Sequence, residues 1–90
     1  MNTYLIVLKL SADESLYTNV AKYLKSSSFW ARPMPSVWIV KAGISEAQIR
    51  DGIRPLLYSG DGVLVVDITK KGWATSNLTG VVTDWMKKNV

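Results

Sequence analysis

The sequence predicts an α+β domain built on an antiparallel sheet. Three apolar runs, at residues 3–10, 36–42 and 63–68, have the length and composition of strands. Two intervening stretches repeat apolar residues at helical spacing. A pair of prolines, Pro33 and Pro35, marks an edge or lead-in strand just before the second run. With a final amphipathic stretch, the expected order is β-α-β-β-α-β-α.

In the first run Tyr4, Ile6, Leu8 and Leu10 alternate with Thr3, Leu5, Val7 and Lys9. Both faces are largely apolar, as in a central strand covered on both sides. Ser11 and Glu14 then have capping-box spacing, which predicts a helix carrying Leu16, Val20, Tyr23 and Leu24 inward to about Ser26. Residues 26–36 read as a break, a short strand and a turn. In the second run Trp38, Val40 and Ala42 share one face, and Val37, Ile39 and Lys41 the other. Gly43 ends it. Ser45 and Gln48 form a second capping-box pair, opening a helix with Ile49, Ile53 and Leu57 inward. Pro55 should end that helix near Arg54. "SGDG" is a turn, and residues 63–68 are the last strand. A terminal helix over about 76–89 takes its cap from Thr75, Ser76 or Asn77 and turns Leu78, Val81, Val82, Trp85 and Met86 inward.

The first six elements suit the ferredoxin-like βαββαβ arrangement, with both helices on one face of a four-stranded sheet. The whole chain, 1–90, then makes one such domain with an additional C-terminal helix. The second face of the sheet is left open. A second copy of the chain, or the last helix, is expected to cover it.

Composition excludes several chemistries. Apolar residues make up 48% of the chain, so a packed core is expected rather than disorder. With no cysteine there is no thiol nucleophile, disulfide or thiolate metal site. With no histidine the commonest general base and metal ligand is missing. No cofactor is expected. The net charge of +4 is compatible with nucleic acid but also ordinary for a soluble protein. The N-terminus has neither a basic leader region nor a membrane-length apolar run, so a cytoplasmic protein without membrane contact is expected, from a microbe or phage.

The stretches "TYLIVLKLS", "FWARPMPSVWIVK", "SEAQIRDGIRPLL", "GDGVLVVDITKKGWA" and "VVTDWMKKNV" carry a resemblance. The chain resembles the SinR-like small proteins, which are similar to the small CRISPR adaptation nuclease subunit and to the VapD endoribonucleases. The motifs that match are markers of fold: Ser36 to Val40, the helix "IRDGIRPLL", and Trp73 with Trp85. The resemblance implies a homodimer, with a metal-binding aspartate at the end of the first strand in a Y-D-[IL]-[ST] pattern. This chain reads Leu8-Lys9-Leu10-Ser11 there. An ammonium has no lone pair for magnesium or manganese, which take oxygen ligands. Nuclease chemistry is therefore not carried over.

The expectation is a non-catalytic, homodimeric relative acting as a nucleic-acid- or protein-binding module in microbial or mobile-element defence. Its expected contact residues are Lys9, Trp30, Arg32, Lys70 and Lys71. Lys9 could instead reach solvent along a packed stem, or pair with Asp13. The alternative is a metal-dependent nuclease or ribonuclease toxin that uses Asp13 or Asp67 with magnesium or manganese.

Overall fold

The computed structural model describes residues 1–27 and 29–90. Ser28, part of the expected break, lies outside the described residues. The strands are β1 (Asn2–Lys9), β2 (Phe29–Met34), β3 (Val37–Ala42) and β4 (Gly62–Asp67). The helices are α1 (Thr18–Lys25), α2 (Glu46–Ile53) and α3 (Gly80–Asn89), with single 3-10 turns at Glu14–Leu16 and Arg54–Leu56. The four strands form one sheet in the order β2-β3-β1-β4, antiparallel at every pairing. This is the expected ferredoxin-like arrangement with an added C-terminal helix. No helix is long and apolar enough to cross a membrane.

Alternation along the strands sorts the core into two parts. Tyr4, Ile6 and Leu8 of β1 and Trp38 and Val40 of β3 face α1 and α2, where they meet Val20, Leu24, Ile49 and Ile53. On the second face Ile39 packs with Val82 and Met86 of α3, supported by Leu5, Ile68, Leu78 and Trp85. Thr3, fully buried, donates its hydroxyl to the Asn89 carbonyl and so ties the end of α3 to β1. Helix α3 thus takes over part of the face that sequence alone left open.

That cover is partial. Register sets Leu5 opposite Ile39 and Val66, and one step along sets Val7 opposite Val37 and Leu64, with Met34 opposite Val37. The row Met34–Val37–Val7–Leu64 crosses all four strands beyond the residues that α3 buries. Leu64 is 57% exposed and Val66 39%. Lys9 lies one step further out on the same face.

The predicted second helix is confirmed in detail. Ser45 Oγ accepts from Gln48 N while Gln48 Oε1 accepts from Ser45 N, and the α-helix stops at Ile53 before Pro55. Two helix starts differ from expectation. The Ser11–Glu14 capping box does not form. Asp13 caps the short 3-10 turn instead, and α1 starts only at Thr18. Leu16, expected inward, is exposed. The reason is that the Ser11 N–H, which a capping box would give to the Glu14 carboxylate, goes with the Ser11 hydroxyl to Asp61 fifty residues away, while Glu14 pairs with Arg32. The last helix starts at Gly80, capped by Thr79, four residues later than expected. Asn77 stands at φ 59°, a left-handed conformation that cannot lie inside a helix. The shift rotates Val81 outward, to 82% exposure, while Val82 and Met86 point in.

Candidate functional site

Three places carry the residues singled out from sequence, and the fold keeps them apart. Lys9 closes β1 on the α3 face of the sheet. Its stem runs along Gly62 of the neighbouring strand, where a β-carbon would stand 3.6 Å from Lys9 Cβ. Its side chain is exposed, and it makes no ion pair or hydrogen bond among the described residues. The Lys9–Asp13 pairing is not formed, and Asp13 Oδ1 accepts from Ser15 N.

The loop just beyond Lys9 is organised by Asp61 of the "SGDG" turn. Asp61 Oδ1 accepts from Ser11 N at 2.7 Å and Ser11 Oγ at 2.6 Å. Its Oδ2 accepts from Tyr17 OH and Tyr58 N, each at 2.8 Å. Desolvation opposes ionisation, but these four bonds outweigh it and hold the carboxyl at about 2. One side chain thereby joins the β1 exit, the start of α1 and the α2–β4 loop. A signal was present: an aspartate beside glycines in a turn is suited to capturing nearby backbone N–H groups.

Lys70 and Lys71 follow β4 at the opposite end of the sheet. β1 between the two ends has eight residues, about 24 Å of strand. There Asp67 accepts from Thr69 Oγ1 at 2.6 Å and Thr69 N at 2.9 Å. Those bonds, with Lys71 nearby, lower its pKa. The hydrogen bond from Ser15 likewise lowers that of Asp13. Asp13 and Asp67, the two carboxylates of the metal-dependent alternative, thus lie toward opposite ends of β1. Among the described residues no three Asp, Glu, His or Cys side chains gather to hold a metal ion.

The third place is the β2 side of the helix-covered face. Trp30 and Trp38 are neighbours, with ring centroids 5.6 Å apart. Lys25 Nζ lies 5.2 Å from the Trp30 ring, and the Arg32 guanidinium lies 4.7 Å from the Trp38 ring. Arg32 also donates from Nε and Nη2 to the Pro35 carbonyl, at 3.1 and 2.8 Å, and Nη2 pairs with Glu14. The cation over Trp30 is thus Lys25, while Arg32 is stacked on Trp38. Trp30 and Arg32 face away from Lys9 and are remote from Lys70 and Lys71, so the five expected contact residues do not make one surface.

The Asp61 junction gives a stability prediction. A carboxylate whose pKa is lowered by folding, from the ordinary 3.8 to about 2, stabilises the fold fully above 3.8. That contribution is lost as pH falls from about 4 toward 2. Asp61→Asn puts an amide N–H where a donor already points. It is expected to lower the melting temperature at neutral pH by roughly 5 °C or more, and to flatten the acid limb. Thermal unfolding followed by circular dichroism between pH 7 and 2 checks both; an acid limb as steep as in the unsubstituted chain removes the assignment.

No family model matches the chain, and no curated protein matches it.

Proposed function

We propose that this chain is a non-catalytic homodimeric module of microbial or mobile-element defence, a relative of the CRISPR adaptation nuclease subunit that binds protein partners, its own copy first. The observation that carries this reading is the exposed apolar flank of β4, Leu64 and Val66, continuous with half-buried Val7 and Val37 and exposed Met34 across the sheet. β4 is also an edge strand with no proline and no charge before Asp67. Such an edge presents unpaired backbone groups ready for another strand. The other edge, β2, is blunted by Pro33 and by an irregularity between Ala31 and Met34. Antiparallel pairing of β4 with β4 of a second copy is self-complementary about a twofold axis, and it buries Leu64 and Val66 of both.

Lys9 supports the non-catalytic part, since it stands where the resembling nucleases hold metal. A protein ligand is favoured over nucleic acid because the basic residues are dispersed along the chain, with no run longer than two.

Sedimentation is expected to show a species of twice 10.0 kDa, and Leu64→Lys should dissociate it by at least about a hundredfold, the loss of one interface anchor. A 10.0 kDa species at every concentration rejects the dimer. Salt-sensitive binding of duplex nucleic acid would move the ligand assignment away from protein. Magnesium- or manganese-dependent cleavage that disappears in Asp13→Ala or Asp67→Ala, yet survives Lys9→Ala, would replace the reading with the enzymatic one.

A further inference from the structure

Between α1 and the β2–β3 turn lies a cleft of about 330 Å³. Its size is at the lower end of the range of small-molecule sites, about 300–1,000 Å³. Leu8, Val20 and Trp38 form its buried floor, and Leu10 and Pro35 its accessible apolar wall. Arg32 and Glu14 line it as well, and both keep partly exposed side chains, which places them at its opening. A cation and an anion therefore stand side by side at the mouth of an apolar space.

Neither group is fully used. Arg32 commits Nε and Nη2 to the Pro35 carbonyl, and Nη2 also to Glu14 Oε1. Among the described residues, Arg32 Nη1 has no acceptor and Glu14 Oε2 no donor. Arg32 lies over the Trp38 ring, which fixes the plane of its guanidinium and so the direction of its free N–H groups. Glu14 sits on the single 3-10 turn before α1. A partly exposed ion pair of this kind holds its partners only weakly, so a head group can enter between them at little cost.

We propose that this cleft binds a free α-amino acid with an apolar side chain. The ligand carboxylate meets Arg32, its ammonium meets Glu14, and its side chain lies against Leu10 and Pro35. A dipolar head matches the paired charges, whereas a simple anion is repelled by Glu14 and a simple cation by Arg32. The site is separate from the β4 flank, which lies on the other face of the sheet, so it stands or falls independently of the dimer.

Calorimetric titration of the whole chain with leucine and with phenylalanine tests it. Saturable binding is expected, with a Kd between about 10 μM and 10 mM. Removing either charge from the ligand, with 4-methylpentanoate or 3-methylbutylamine, should weaken binding at least about tenfold. Glu14→Gln keeps the size of the side chain and should weaken leucine binding by a similar factor. Arg32→Met keeps an apolar stem over Trp38 and should abolish it. Should Arg32→Met fail to fold, the ligand series on the unsubstituted chain and Glu14→Gln decide the matter. The proposal is overturned if neither amino acid binds up to about 50 mM, if the two analogues bind as well as leucine, or if Glu14→Gln leaves the affinity unchanged.

Discussion

Replacing Trp38 with alanine is expected to cost about 3–5 kcal/mol, the range for deleting a large buried aromatic side chain. Trp38 is 1% exposed and lies at the centre of the helix-covered core. Its ring carries three relationships at once. It packs on Tyr4, Ile6 and Leu8 within that cluster, meets the Trp30 ring and supports Arg32. A ninety-residue domain has roughly 5–13 kcal/mol of total stability, so this one change removes a large share of it. Trp30→Ala should cost only about 1 kcal/mol, since Trp30 is 37% exposed and loses chiefly the aromatic pair. Urea unfolding of the two variants measures the difference. A Trp38→Ala variant no less stable than Trp30→Ala would mean that the β3 core does not carry the fold.

Gly52→Val is expected to destabilise by about 2–3 kcal/mol, through overpacking where α1 meets α2. A β-carbon at Gly52 would stand 2.2 Å from the Tyr23 hydroxyl and 2.3 Å from Tyr23 Cζ. Tyr23 is partly buried against the helix-covered core, so a ring that moves aside gives up part of that packing. The glycine is therefore kept for a close approach of the helices, despite a helix-propensity cost of about 1 kcal/mol relative to alanine. This separates two effects. Gly52→Ala should destabilise the otherwise unchanged chain, where the clash dominates. In a Tyr23→Ala background the same change should become neutral or stabilising, because only the propensity gain remains. Denaturant unfolding of the four chains gives a coupling energy, expected at about 1–3 kcal/mol. A coupling near zero would show that Tyr23 rotates away freely.

The sequence was most readable where a signal is local and complete. Ser45 and Gln48 bond to each other across three residues, and Pro55 acts within its own turn, so α2 was legible at both ends. The alternation of β1 and β3 likewise placed Tyr4, Ile6, Trp38 and Val40 in one core. The failures share the opposite property. Ser11 has the spacing of a capping box, yet its hydroxyl goes to Asp61 across fifty positions. Asp61 is unremarkable in "SGDG" because three of its four donors come from Ser11 and Tyr17, which only folding brings near. Glu14 appeared as a capping residue, while its partner Arg32 arrives from the edge strand.

The amino-acid sequence by itself determined the order of elements, the sides on which β1 and β3 bury their residues, and the lysine at the end of the first strand. These follow from side-chain periodicity and local capping, which depend on neighbours a few positions apart. Only the tertiary structure decided that α3 covers part of the second sheet face, leaving Met34 and Leu64 exposed at the two ends of a row through half-buried Val37 and Val7. Only it paired Arg32 with Glu14 over an apolar cleft, and set Lys9 and the Lys70–Lys71 loop at opposite ends of β1. Such placements depend on strand register and helix docking, and these are set by contacts between residues dozens of positions apart.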